Sequence, residues 1–460
     1  MQVNAVGRIE RLPIARYFYF VLTILALGYT IETMDTTFTG LVANILRVEW
    51  NLSYFEVGLL GSLPLVGYLF GAGFGGYLSD KFGRRKVFLW TLVGLSIFSG
   101  LRGLTPHGNW LLLGVLGALT YFFAGAETAV GTIYMNEIVP TRVRGRFTGW
   151  TTGSFAFGLV VGTALSLTLP IWGWRGLLLF TTIFAITGAI FRPLLPESPR
   201  WLEAKGKLEE AEKSLKVIEE KITREVGKLP EPEEVKVSPK REAPFYLLWT
   251  RDFRKATIMS WVAFFGQTAA YYGFYTWIYV LLAGKGFTVQ SSIITVLISY
   301  SFGAVPGNLL SGPLADRIGR KKTVYVYLLG GAISATLLAL STTNLMVVVF
   351  LTLFAGFLNG AYPSIYLYVA EQYPTLARNT GLGSASSFSR IGGILMPLVF
   401  SAIYPLYGFS GVFGLAGLML AMGGLIILFL GKETRGVLLE RISMELQEDK
   451  LSTGGENKER

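Results

Sequence analysis

Four ionisable residues interrupt apolar stretches of the chain. They are Glu32 and Asp35 in Glu-Thr-Met-Asp, Glu127 in Ala124-Gly125-Ala126-Glu127, and Arg390 in Ser389-Arg390-Ile391. Charge inside an apolar stretch is costly and usually marks function. A spacing of three puts the Glu32 and Asp35 carboxylates on one helical face. Neighbouring buried carboxylates raise each other's proton affinity, and desolvation acts in the same direction. Asp35, Glu32 and Glu127 are therefore candidates to take up and release protons. The competing reading is a permanently ion-paired cluster, with Arg390 or with Arg102 as the cation. Arg390 cannot shed its proton, and its planar fork suits a carboxylate. That makes it the candidate contact for an anionic ligand, with structural pairing as the rival.

Polar and aromatic side chains gather near these charges in sequence. Gln267, Tyr271, Tyr272, Tyr275 and Trp277 fall in one apolar run, and Asn359 and Tyr362 in another. Such groups on facing helices orient small solutes. Gln267, Tyr271, Tyr272, Asn359 and Tyr362 join Arg390 as candidate ligand contacts, whereas Trp277 reads as an interfacial anchor.

These residues must be held by long apolar helices. The chain has 460 residues, 52% hydrophobic and 15% charged, against roughly a quarter charged in soluble proteins. Crossing about 30 Å of hydrocarbon takes about 20 residues. On that measure spans fall near 17–43, 54–78, 87–104, 109–135, 147–169 and 175–195, then near 256–282, 290–313, 323–342, 344–370, 379–402 and 408–430. The expectation is an all-α membrane protein of twelve transmembrane helices in two six-helix bundles. Short alternating segments of a β-barrel are not seen. Lys81, Arg84, Arg85, Lys86, Arg142, Arg144, Arg146, Arg317, Arg320, Lys321, Lys322 and Arg378 occupy alternate loops. Positive charge prefers the cytoplasmic side, so both termini are expected there, in a multi-pass protein of the cell membrane.

The expected organisation is an N-terminal bundle at 1–196, a cytoplasmic segment at 197–255, a C-terminal bundle at 256–431 and a cytoplasmic tail at 432–460. Within 197–255, Leu208, Ala211, Leu215, Ile218 and Ile222 recur at helical spacing among Glu and Lys, predicting an amphipathic helix. Pro230, Pro232, Pro239 and Pro244 predict a stiff linker after it. The segment reads as a connector, with a regulatory docking site as the alternative.

Much of the chemistry can be excluded. The chain has no cysteine, so disulfides and thiolate sites are absent. His107, the single histidine, cannot by itself build a zinc site or a Ser-His-Asp triad. No cofactor is implied. The net charge of +11 is spread over short connectors, which argues against nucleic-acid binding. Gly71-Ala-Gly73-Phe-Gly75-Gly76 satisfies Gly-x-Gly-x-x-Gly but lies inside an apolar run, as Gly158-x-x-x-Gly162 does; both read as helix packing. No Walker A sequence occurs, and Asn51-Leu-Ser53 is a glycosylation pattern in an expected outer loop.

The chain is also internally repeated. Gly76-Tyr-Leu-Ser-Asp80-Lys-Phe-Gly83-Arg84-Arg85-Lys86 returns, at a constant offset, as Gly312-Pro-Leu-Ala-Asp316-Arg317-Ile-Gly319-Arg320-Lys321-Lys322. Tyr134-Met-Asn-Glu137-Ile-Val-Pro140-Thr-Arg-Val-Arg144 matches Tyr368-Val-Ala-Glu371-Gln-Tyr-Pro374-Thr-Leu-Ala-Arg378, and Glu197-Ser198 matches Glu433-Thr434. Gly76 and Gly312 are expected to allow close helix approach, and Gly83 and Gly319 a tight turn. Asp80 could meet the positive N-terminal end of span eleven near Asn379 and Thr380, and Asp316 the start of span five near Phe147. Simple topological anchoring is the plainer alternative.

These paired hairpins resemble the major facilitator superfamily across nearly the whole chain. Pro196-Glu197-Ser198-Pro199-Arg200-Trp201-Leu202 and Glu433-Thr434-Arg435-Gly436 look like its sugar-porter, organic-ion and synaptic-vesicle-two-like branches. Glu371-x-x-Pro374-Thr375-x-x-Arg378-x-x-Gly381-x-Gly383 and Ser389-Arg390-Ile391-Gly392-Gly393 look closest to organic-ion and aromatic-acid:proton symporters. Sugar porters usually carry Pro-Trp where this chain has Tyr362-Pro363-Ser364-Ile365. The resemblance implies two bundles that rock around a central site, with no enzymatic activity. It implies that Gly76, Asp80, Gly83, Arg84, Arg85, Gly312, Asp316, Arg317, Gly319, Arg320, Glu137, Arg144, Glu371 and Arg378 form a conformational latch. Aromatic-acid symporters carry a similar acid-x-x-acid pair in span one, and anion carriers are basic at the position of Arg390. Members often have an arginine in span four, whereas nothing basic occurs here from Gly103 to Thr141. The expected function is proton-coupled symport of a small organic solute, an organic anion such as an aromatic carboxylate, by a monomer in the bilayer. A sugar or polyol carrier is the alternative, and a non-transporting sensor a further one.

Overall fold

A computed structural model describes residues 3–232, 244–374 and 377–435. The chain divides into two units, Met1–Ser238 and Pro239–Arg460. The expected tail beyond 435, most of the stiff linker and Thr375 lie outside the described residues. Every regular element among the described residues is helical.

The first unit holds a short α1 (Ala5–Glu10), then α2 (Arg16–Glu49), α3 (Tyr54–Phe82), α4 (Arg84–Gly103), α5 (Trp110–Ile138), α6 (Thr141–Ser166) and α7 (Leu169–Phe191), followed by α8 (Pro199–Ala204) and α9 (Leu208–Val226). The second holds α10 (Arg254–Gly284), α11 (Val289–Ser299), α12 (Val305–Ile318), α13 (Arg320–Ala339), α14 (Asn344–Glu371) and α15 (Arg378–Leu430). A π-helical turn over Tyr300–Ala304 joins α11 to α12. The expected spans at 379–402 and 408–430 lie in one helical stretch, broken at Gly408, whose φ of 57° leaves the helical region. Eight helices among the described residues are long and apolar enough to cross a membrane.

Local signals explain where the helices begin. Ser53 accepts from the Glu56 N–H while Glu56 returns a bond to the Ser53 N–H, a capping box that starts α3. Asn109 caps α5 and Thr343 caps α14 more simply, each side chain accepting one backbone N–H, from Leu112 and Met346. α3 and α5 approach closely because a Cβ on Gly67 or Gly71 would overlap the carbonyl oxygens of Ala118 or Phe122. The second unit repeats this contact between Gly303 and Gly307 of the π-turn and α12, and Thr352 and Gly356 of α14. Helix packing is therefore the role of the Gly71 stretch. Gly76 and Gly312 do not share it: a Cβ on either meets nothing within 4 Å. The expectation of close helix approach at those two positions is not met within either unit.

The amphipathic α9 buries Ala211, Leu215, Ile218 and Ile222, with Leu208 partly buried. Its partners are Val3, Ala5 and Ile9 of the N-terminal segment and Trp201 and Leu202 of α8. Farther along, Ile218 and Ile222 join Leu12, Phe18 and Tyr134 in the core. Arg8 and Arg11 both reach Glu219, each at 2.6 Å. Burial pushes the Glu219 carboxyl up, but these two guanidinium groups outweigh it and hold it below the usual range.

Candidate functional site

One stripe of α2 organises the charges of the first unit. Asp35 is 1% exposed and receives Arg102 Nη1 at 2.7 Å, while Ser99 Oγ donates to its other oxygen at 3.2 Å. Arg102 Nη2 donates to Thr39 Oγ1 at 2.8 Å. Of the two cations considered for Asp35, Arg102 is its partner within this unit. One turn earlier, Glu32 accepts from Thr128 Oγ1 at 2.7 Å. Glu127, beside Thr128 on α5, is fully buried and paired with Arg192, and Thr91 also donates to it. Arg192 Nη1 further donates to the Phe88 carbonyl at 2.7 Å. Gly28 of α2 faces this pair, and a Cβ there would collide with the Glu127 carboxylate.

Two buried ion pairs thus bracket Glu32 along α2. Arg102 closes α4 near the Asn51 turn, and Arg192 follows α7 near the Gly83 hairpin. Desolvating a charge costs several kcal/mol, which a partner with good geometry offsets. Removing either partner leaves that cost exposed, so each carboxylate and its arginine hold one another in place. Sequence reasoning missed Arg192 as the partner of Glu127, looking only along α5 for a basic neighbour. The available signal was that Arg102 and Arg192 each fall inside an expected apolar span.

In the second unit, Arg390 Nη1 donates to the Tyr272 hydroxyl at 2.9 Å. The Tyr271 ring lies 5.2 Å from Tyr272, 4.3 Å from Tyr275 and 6.1 Å from Tyr362. Tyr362 donates to Tyr366 at 3.3 Å, and the Tyr366 and Ser386 hydroxyls are 2.9 Å apart. Arg390, Tyr271, Tyr272, Tyr362 and Tyr366 are half-buried. Tyr366 and Ser386 were not anticipated. Asn359 Nδ2 donates to the Tyr275 hydroxyl at 2.9 Å, and the buried Gln267 reaches the Leu358 carbonyl at 3.5 Å. Asn359 thereby holds Tyr275, whereas Gln267 is engaged by the Leu358 carbonyl and by Thr268. Trp277 is fully buried, its Nε1 donating to the Pro397 carbonyl at 3.0 Å, so the interfacial-anchor reading is corrected.

The repeated hairpins build the same cluster twice. Arg84 spans Asp80 at 2.6 Å and Glu137 at 2.8 Å. Arg320 meets Glu371 at 2.6 Å and Asp316 at 3.9 Å. Glu197 accepts from the Arg84 and Arg85 N–H groups, and Glu433 from those of Arg320 and Lys321, so each carboxylate caps a helix. Tyr134 donates to the Pro196 carbonyl and Tyr368 to that of Lys432, fixing each acidic segment beneath its helix end. Gly83 and Gly319 turn at φ of 101° and 104°. A Cβ on either would collide with the capping carboxylate as well, so only glycine suits both demands.

The copies differ in electrostatics. Burial pushes the Glu197 carboxyl above its ordinary value despite its backbone donors. At Glu433 burial acts in the same direction, but the N–H groups of Arg435, Arg320, Lys321 and Thr434 outweigh it and hold the carboxyl low. Arg85 donates to the Pro193 carbonyl at 2.7 Å, and Arg435 to that of Arg317 at 2.7 Å. Arg144 pairs with Glu10 at 3.7 Å rather than with Glu137, and Arg378 opens α15. Asp80 and Asp316 keep 67% and 76% of their side chains exposed.

Residues 19–446 match the family described as Sugar (and other) transporter. The chain is 32% identical over 447 residues to the niacin transporter NiaP of Acinetobacter baylyi, covering 96% of this chain and 100% of that protein. It is 27% identical over 404 residues to the 4-hydroxybenzoate transporter PcaK of Pseudomonas putida, covering 85% and 89%. The partially occluded, inward-open xylose transporter XylE from E. coli has the same fold, with a TM-score of 0.73 at 18% identity, covering 92% of this chain and 100% of that one.

Proposed function

The chain belongs to the sugar (and other) transporter family of the major facilitator superfamily, and from that premise we propose that it carries a small aromatic monocarboxylate, of which niacin is the type, together with protons. It is a multi-pass membrane transporter and not an enzyme. The observation that carries the substrate reading is Arg390 bonded to Tyr272 at the edge of a half-buried tyrosine cluster. A guanidinium binds a carboxylate through parallel N–H donors, and tyrosine faces receive a flat ring. The names of the relatives support this reading, since niacin and 4-hydroxybenzoate are both aromatic carboxylates.

The proposed cycle uses twelve spans in two six-helix bundles, with both termini cytoplasmic in the plasma membrane and the protein acting as a monomer. Asp35 takes a proton from outside and releases Arg102, with Glu32 and Glu127 as the further acidic stations along α2. Substrate then binds Arg390 and the tyrosines, supported by Gln267 and Asn359. The bundles rock to open the opposite side. The hairpins latch one state: Asp80 would meet the start of span eleven near Asn379 and Thr380, and Asp316 the start of span five near Phe147. Arg84 and Arg320, braced by Glu137 and Glu371, hold each aspartate in place.

A sugar or polyol carrier is the second reading, favoured by the tyrosine hydroxyls and buried amides of α10 and α14. Counterflow of labelled niacin and of labelled xylose into proteoliposomes separates the two. Exchange of niacin alone supports the carboxylate reading, and exchange of xylose alone overturns it.

A further inference from the structure

Beside the Asp35–Arg102 pair lies a cavity of about 10 Å³, lined by residues of four helices that include Thr39, Leu60, Pro64, Arg102, Leu113 and Gly117. Holding one water takes roughly 10–15 Å³ of space for its centre and two to four polar partners. Arg102 is 3% exposed, and its Nε has no hydrogen-bond partner among the described residues. Nε faces this space: a Cβ on Gly117 would lie 3.7 Å from it and 3.3 Å from Pro64 Cγ. Pro64 stands inside α3 and has no N–H, so the Leu60 carbonyl loses its i+4 donor. Inside an apolar bundle a freed carbonyl is re-satisfied by a side chain or an ordered water. Thr39 Oγ1 accepts from Arg102 Nη2 and donates to the Asp35 carbonyl at 2.9 Å, which leaves it a second lone pair.

We propose that this cavity is a single-water site, in which the water accepts from Arg102 Nε and donates to the Leu60 carbonyl and the Thr39 hydroxyl. Three partners match what a buried water typically makes. The water ties α4 to α2 and α3 through the guanidinium and gives Pro64 a positive role. It also keeps Arg102 hydrogen-bonded when Asp35 changes charge. A guanidinium stays charged and needs its donors met in either state.

The direct test is a structure of the full-length wild-type protein at a resolution that shows ordered waters. A density peak is expected within hydrogen-bond reach of Arg102 Nε and the Leu60 carbonyl. Absence of a peak there, with waters resolved on other buried polar groups of the same unit, overturns the proposal. Gly117→Ala then places a methyl in the water's position. The peak should vanish and proton-driven uptake should fall about tenfold, equivalent to 1.4 kcal/mol. Uptake unchanged after loss of the peak removes any role for the water in transport. If Gly117→Ala does not fold, the wild-type density alone decides. The uptake measurement rests on the transport reading and the density measurement does not, so failure of one is distinguishable from failure of the other.

Discussion

Arg102 Nη1 meets Asp35 Oδ2 at 2.7 Å, with the two side chains 3% and 2% exposed. A carboxylate that handles protons in such a place does so by making and breaking its contact with one arginine. Neutralising Asp35 leaves a buried guanidinium without its counter-charge, and breaking a buried pair costs about 3–5 kcal/mol. Asp35→Asn should therefore lower thermal stability strongly and abolish proton-driven accumulation. Asp35→Asn with Arg102→Gln should recover much of the stability but none of the accumulation. Thermal unfolding and uptake of all three proteins check this.

The Glu127–Arg192 pair predicts the same coupling at the Gly83 end of the bundle. Glu127→Gln and Arg192→Gln should each destabilise by about 3–5 kcal/mol, and the double variant by clearly less than the sum. Additive losses in a double-mutant cycle would show that the two side chains act independently.

At Arg390 the expectation concerns selectivity. Arg390→Lys keeps the charge but loses the fork, so niacin transport should fall roughly tenfold or more, in line with about 1.5–3 kcal/mol for a hydrogen bond to a charged group. Tyr272→Phe removes the hydroxyl that orients the guanidinium and should cost less. Competition by nicotinamide, which has no carboxylate, should be weak in the wild type and little changed in Arg390→Lys. Uptake assays with both competitors measure this.

The helix caps predict different acid responses in the two hairpins. The Glu433 carboxyl is held below its ordinary value of 4.5, so its stabilising effect is present above that pH and is lost as the pH falls through the lower folded value. The Glu197 carboxyl is raised above 4.5, so its contribution is full below that pH and declines as the pH rises through its folded value. Acidification below 4.5 should loosen the start of α13 before the start of α4. Hydrogen exchange at the Arg320 and Lys321 amides against those of Arg84 and Arg85 reads this directly, and Glu433→Gln should remove the difference.

The hairpins and spans were legible because their signals are local: apolar runs of membrane length, glycine at a left-handed turn, and a repeat that carried Glu197 onto Glu433. What those glutamates hold was not legible, since the backbone N–H groups at a helix start have no side-chain signature. Asp35 with Arg102 was one of two pairings that the sequence left open. Glu127 with Arg192 was missed because the partners are far apart in sequence, and only helix rotation and register bring them together. Tyr366 and Ser386 escaped for the same reason, as positions on facing helices whose contact no periodicity reveals. Trp277 misled because an aromatic near a helix end resembles a membrane anchor until its burial against Pro397 is seen.

The central claim is proton-coupled transport of an aromatic carboxylate, and proton movement on adding niacin tests it most directly. Proteoliposomes holding the wild-type protein should alkalinise the outside medium when niacin is added without a pre-set gradient, and the signal should disappear in Asp35→Asn. Net niacin uptake that proceeds in the wild type with no change in external pH would contradict the account.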